Sequence, residues 1–100
     1  MIRLVHCERE TFDVYIGRAC AGRRRSKWAN PFIIGKDGTR KEVIAKFRAW
    51  ILKQPKLLAD LHELDGKVLG CWCYNKSCHG EVLIELRTQQ KKSLFKDILC

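Results

Sequence analysis

Between Lys67 and Leu86 a strand pattern runs straight into a helix pattern through a turn that carries three cysteines and a histidine. Lys67-Val68-Leu69-Gly70 reads as a strand, Cys71-Trp72-Cys73-Tyr74-Asn75-Lys76-Ser77-Cys78-His79-Gly80 follows, and Glu81-Val82-Leu83-Ile84-Glu85-Leu86 departs with helical spacing. A strand delivered directly into an amphipathic helix is part of an α/β layer, because each element needs the other to cover its apolar side. The start of such a helix offers free N–H groups and the positive end of the dipole, a setting that suits reactive or metal-binding side chains. The turn is therefore expected to form part of any active site.

The rest of the chain extends the same pattern. Ile2 to Val5 and Phe12 to Ile16 read as short strands, the second stopped by Gly17. Thr39 and Glu42 form a capping box at the start of a helix whose Val43, Ile44, Phe47, Trp50 and Ile51 make one apolar stripe. Pro55 ends that helix and starts another, in which Leu57, Leu58, Leu61 and Leu64 share a face before Gly66. Ser77 is the expected N-cap of the last helix, which buries Val82, Leu83 and Leu86. Residues 87–100 read as a helical extension or a tail. The expected fold is α/β, a small single-domain layered fold over residues 1–100 with a mainly parallel sheet flanked by helices. Ligands in such sheets bind beyond the carboxyl ends of the strands. The loop after Ile16 and the turn after Leu69 both lie at such ends, and they form one pocket if their strands are parallel neighbours.

Charge bears on the partner. Twenty Lys and Arg against eleven Asp and Glu give a net charge of +9. That balance favours an anionic partner, with nucleotide or nucleic acid foremost, although solubility alone is the plainer explanation. Arg23, Arg24, Arg25 and Lys27 form a basic knot that suits phosphate contacts or a solvated loop equally. The six cysteines are too unevenly spread for a disulfide scaffold, the N-terminal residues lack the apolar run of a signal peptide, and no run is long enough to cross a membrane. A reducing cytoplasm with free or metal-bound thiols is expected.

Three readings of the cysteine turn stay open. Cys71, Cys73, Cys78 and His79 supply the four soft ligands of a tetrahedral zinc site, although no cofactor is required and the spacing is not that of common zinc fingers. Alternatively, Cys78 is a functional thiol near a helix start, with His79 as its base or as a phosphate contact; these two are the candidate catalytic residues. Or Cys71 and Cys73 are small buried hydrophobes. In the long loop, Arg18, Ser26 and Asn30 are candidate donors to phosphate or a base edge, and Trp28 is a candidate stacking platform. Trp28 and Phe32 pinning the loop to the core is the competing explanation. Cys71, Cys73 and Glu81 complete the candidate ligand-binding set, although an acid in a first helical turn usually serves the dipole. No Walker motif or complete Gly-x-Gly-x-x-Gly is present.

Val14-Tyr15-Ile16-Gly17-Arg18, Ser26-Lys27-Trp28-Ala29-Asn30-Pro31-Phe32, Gly35-Lys36-Asp37-Gly38-Thr39-Arg40 and Gly70-Cys71-Trp72-Cys73 with Cys78-His79-Gly80-Glu81-Val82-Leu83 occur in that order. Together they resemble domain of unknown function 4326, a family of bacteriophage and bacterial proteins, from Val5 to Leu86. Ala29 stands where the family usually has glycine, and Ala19 to Arg25 looks like an insertion. The family carries no assigned reaction. The function expected from the residues is binding of a nucleotide or nucleic acid, with hydrolysis or transfer as the reaction class to test, between the Gly17–Phe32 loop and the Cys71–His79 turn. The alternative is a non-enzymatic basic adaptor for nucleic acid or a host protein, its cysteines serving as core or zinc ligands.

Overall fold

The computed structural model describes residues 2–20, 22–72 and 78–99, with side chains as far as residue 92. Three strands, β1 (Arg3–His6), β2 (Val14–Tyr15) and β3 (Val68–Cys71), form one parallel sheet in the order β1-β3-β2. Helices α1 (Arg40–Ile51), α2 (Pro55–Asp60) and α3 (His79–Leu99) complete the chain, with a 3-10 turn over Leu61–Leu64. The expected α/β fold with a parallel sheet is what the chain adopts.

The local signals explain most of these elements. Thr39 Oγ1 accepts from the Glu42 N–H at 3.2 Å while Glu42 Oε1 accepts from the Thr39 N–H at 2.9 Å, so the capping box is formed at both ends. Such a cap contributes about 1 kcal/mol to the helix it starts. Val43, Phe47 and Ile51 are buried along α1, with Ile44 and Trp50 half-buried beside them. Pro55 opens α2 as expected, but the helix tightens after Asp60, and Leu61 and Leu64 reach the core from the 3-10 turn. The last helix continues well past Leu86, to Leu99. The expected cap Ser77 lies outside the described residues.

Two layers meet at β3. Leu69 and Cys71 point into a core built with Phe47, Ile51, Leu61, Leu64, Val82 and Leu83 from the helical segments. On the other face, Phe12 from the segment joining β1 to β2 covers Gly70. β1 ends opposite Cys71, whereas β2 begins opposite Leu69, so residues 7–13 must cross β3 to restart in the same direction. This is shorter than the roughly dozen residues a helical crossover needs. Cys7 N–H donates to Cys71 O at 2.8 Å at one end. At the other, Asp13 N–H donates to Val68 O at 2.8 Å and the Val68 N–H donates back to Asp13 Oδ2 at 2.9 Å. Phe12 lies directly over Gly70, where a Cβ would come within 2.6 Å of its ring. The crossing therefore depends on glycine at position 70.

Asp65, between the 3-10 turn and β3, accepts from Nε and Nη2 of Arg87, at 2.9 and 2.8 Å, which ties this corner to α3. The Arg87 hydrogen bonds hold the Asp65 carboxyl well below its ordinary value, at about 2. A depressed folded-state value means the contribution is complete above the ordinary value of 3.8 and is lost as the pH falls from there toward 2. Asp65→Asn is accordingly expected to differ from wild type in stability at neutral pH, with the difference shrinking over that acid window. Denaturant midpoints measured across pH check this, and a constant difference down to pH 2 would refute it. No helix among the described residues is long and apolar enough to cross a membrane.

Candidate functional site

Because β2 and β3 are parallel neighbours, the segments that leave their carboxyl ends meet. Between them lies a cavity of about 390 Å³. Arg18, Asn30, Cys71, Cys78 and His79 line it, joined by Arg40 from the first turn of α1. Phe32 and Trp72 supply aromatic surface, and Val43 and Ile44 an apolar wall.

At the edge of this cavity sits a buried cluster of sulfur and imidazole. β3 ends at Cys71 and α3 starts at His79, so Cys78 stands directly before the helix. Its Sγ accepts from the Gly80 N–H at 3.3 Å and its carbonyl from the Glu81 N–H at 3.0 Å. Cys78 Sγ lies 3.2 Å from Cys71 Sγ and 3.6 Å from His79 Nδ1. His79 Nε2 is 2.9 Å from the Ile16 carbonyl. A carbonyl only accepts, so Nε2 carries the proton, and in the neutral ring Nδ1 is left to accept from the Cys78 thiol. The His79 ring also meets Phe47 in a T-shaped contact, centroids 5.0 Å apart. A thiol bonded to an imidazole, itself oriented by a third group, is the general arrangement of an activated sulfur nucleophile. Gly80 lets this helix start approach the sheet, since a Cβ there would lie 2.7 Å from Leu4 Cδ1 and 2.9 Å from Ile16 Cδ1.

The other expected site residues are distributed differently. Asn30 lines the cavity, but its amide is already engaged: Nδ2 donates to Val43 O at 3.1 Å and Oδ1 accepts from the Phe32 N–H at 2.9 Å. Trp28 is buried in the core, and Ser26 Oγ accepts from its N–H, so both hold the loop. Glu81 is exposed outside the cavity lining. Lys27 reaches Asp60 and Glu63 at 3.1 and 2.8 Å, and its hydrogen bond to Glu63 foremost keeps it charged. Arg23 turns inward to Glu8 at 3.1 Å. Its guanidinium lies 5.7, 5.6 and 5.8 Å from the Phe12, Tyr15 and Trp72 ring centroids. Within the basic knot, Arg24 and Arg25 are left exposed. Cys73 lies outside the described residues, and among the described residues no group of three or more His, Cys, Asp or Glu is placed to hold a metal ion.

The suspected insertion is a short excursion closed at its base by Ser26 N–H donating to Gly17 O at 3.0 Å and pinched by the Cys20–Arg23 bridge. Tyr15 OH donates to Arg18 O at 2.6 Å and accepts from Trp72 Nε1 at 2.8 Å, fixing the backbone at the cavity mouth. Sequence reasoning missed Arg40 and Trp72 as lining residues and the Ile16 carbonyl as the orienter of His79. Arg40 follows directly on the cap of α1 and, like Trp72, stands in one of the family-like motifs, which were the available signals. A backbone carbonyl leaves none.

Comparison with known proteins now places the chain. The profile of Domain of unknown function (DUF4326) matches residues 3–89. The chain belongs to the DUF4326 family. An uncharacterized protein, R718, of Acanthamoeba polyphaga mimivirus is 42% identical over 109 residues, covering 88% of this chain and 83% of that protein. An uncharacterized 12.4 kDa protein of the nrdA-td intergenic region of Enterobacteria phage T4 is 32% identical over 102 residues, covering 97% and 83%. No solved structure matches. Both of these relatives are viral, one from a mimivirus and one from a bacteriophage. The family match includes every cavity-lining residue of the two loops, from Gly17 to His79.

Proposed function

We propose that the cavity binds a nucleotide. The observation that carries this reading is the meeting of Arg18 and Arg40 with the Phe32 and Trp72 rings in one cavity beyond the carboxyl ends of β2 and β3. Guanidinium groups recognise phosphate and aromatic rings stack on bases. A volume of about 390 Å³ lies in the range of small-molecule sites. Arg18 makes no ion pair among the described residues, so its charge is available to an anion at the mouth. The apolar wall of Val43 and Ile44 excludes water from the base and strengthens the polar contacts around the phosphate.

Calorimetric titration with a panel of ribo- and deoxyribonucleoside mono- and triphosphates tests it. Saturable binding at one site is expected, weakened tenfold or more by Arg18→Glu, which replaces an attractive charge by a repulsive one. Arg24→Glu with Arg25→Glu is expected to leave that affinity within about twofold, because both lie away from the cavity and are screened by salt. The opposite pattern favours the basic adaptor: no nucleotide bound, but oligonucleotide bound with a salt slope that becomes shallower when Arg24 and Arg25 are reversed.

A further inference from the structure

Cys71 and Cys78 are both buried, both line the cavity, and face each other with sulfurs 3.2 Å apart. A disulfide bond is ~2.05 Å long, so the two sulfurs have only about 1 Å to close. The two positions are anchored differently. Cys71 ends the central strand, opposite His6 of β1, whereas Cys78 stands at the start of α3, its Sγ accepting from the Gly80 N–H and lying 3.6 Å from His79 Nδ1. The helix N–H groups and His79 converge on Cys78 and favour negative charge on its sulfur, which makes it the attacking thiol. We propose that Cys71 and Cys78 are a thiol–disulfide exchange couple, with Cys78 attacking small disulfides that enter the cavity and Cys71 resolving the adduct. The inference is independent of the nucleotide reading and stands or falls on the sulfurs alone.

The exchange has two steps. Cys78 passes its proton to His79 Nδ1, and its sulfur attacks one sulfur of the small disulfide, forming a Cys78–S–S–R bond as the original S–S bond breaks. The departing thiolate takes the proton from His79 and leaves as one thiol. Cys71 sulfur then attacks the Cys78 sulfur, closing the Cys71–Cys78 disulfide, and its proton goes to the second leaving thiolate. The two cysteines lose two electrons, and the small disulfide gains them and leaves as two thiols. Neighbouring sulfurs and a proton acceptor in reach are what this sequence needs.

Oxidised glutathione is the probe. Full-length reduced protein is incubated anaerobically with it, quenched in acid, alkylated and mapped by peptide mass spectrometry. In wild type a Cys71–Cys78 disulfide is expected. Cys71→Ser should instead accumulate one glutathionyl adduct on Cys78, and Cys78→Ser should form neither product in the same time. His79→Gln should slow adduct formation at Cys78 tenfold or more while Cys20, which is exposed, reacts at its wild-type rate. Cys7 is the slow internal control, its thiol pushed up by burial. Cross-linking of Cys73 to either partner, modification confined to Cys20, or an adduct on Cys71 in the Cys78→Ser variant at the wild-type rate would overturn the proposal. Circular dichroism of each variant separates loss of reactivity from loss of fold, and the near-isosteric Cys71→Ser decides the matter if His79→Gln does not fold.

Discussion

Phe47→Ala is expected to destabilise the protein by about 3–5 kcal/mol, the range for removing a fully buried aromatic ring and leaving a cavity. The residue has no solvent exposure, and its ring centroid lies 5.8 Å from that of Trp50 and 5.0 Å from that of His79 in a T-shaped contact, so its loss opens the core between α1 and the start of α3. A domain of this size holds on the order of 5–15 kcal/mol in total, so much of its margin would go. Urea denaturation should show a lower midpoint with an unchanged slope if the fold survives. The same change should loosen His79 and weaken its bond to Ile16 O, so Cys78 should react more slowly even in the folded fraction. Phe47→Leu, which keeps most of the volume, should recover most of both losses. A cost below about 1 kcal/mol for the alanine variant would mean that Phe47 does not fill the core as described.

Gly70→Ala is expected to cost about 1–3 kcal/mol, and Gly70→Val more, through overpacking. Added at Gly70, a Cβ meets three atoms of the Phe12 ring at 2.6, 2.7 and 2.9 Å, and a ring cannot give way as a flexible chain end can. The crossing segment is tied to β3 at Cys7 and at Asp13, so it cannot simply lift. A double-mutant cycle isolates the cause. Gly70→Ala should be markedly cheaper in a Phe12→Ala background, giving a coupling of at least about 1 kcal/mol. Strict additivity of the two substitutions would show that the glycine is required for some other reason.

Local signals in the sequence placed α1 well, since its cap, its Glu42 partner and its apolar stripe all reside within one stretch of chain. They also located α2 and the strand entering the cysteine turn. They did not reveal that Leu61 and Leu64 leave helical geometry, because the 3-10 turn depends on how tightly the chain must bend to bring β3 into the sheet. Arg23 and Trp28 show the limit more sharply. An arginine in a basic run and a tryptophan in a loop suggest phosphate and base, yet one is half-buried, paired with Glu8 beside three rings, and the other is core. Their partners come from residues far away in the chain, and no spacing rule reports them.

What the amino-acid sequence by itself determined is therefore the set of elements, their α/β class and the chemical identity of the cysteine turn, all of which follow from short-range periodicity, capping and residue type. Only the tertiary structure decided the strand order β1-β3-β2, the crossing of residues 7–13 over Gly70, and the meeting of Arg18 and Arg40 with Cys71, Cys78 and His79 in one cavity. The physical reason is that a strand pattern specifies which faces must be covered but not which neighbour does it. That choice is made by long-range packing, in which the absent side chain of one glycine admits the ring of Phe12 and so settles the path of the chain.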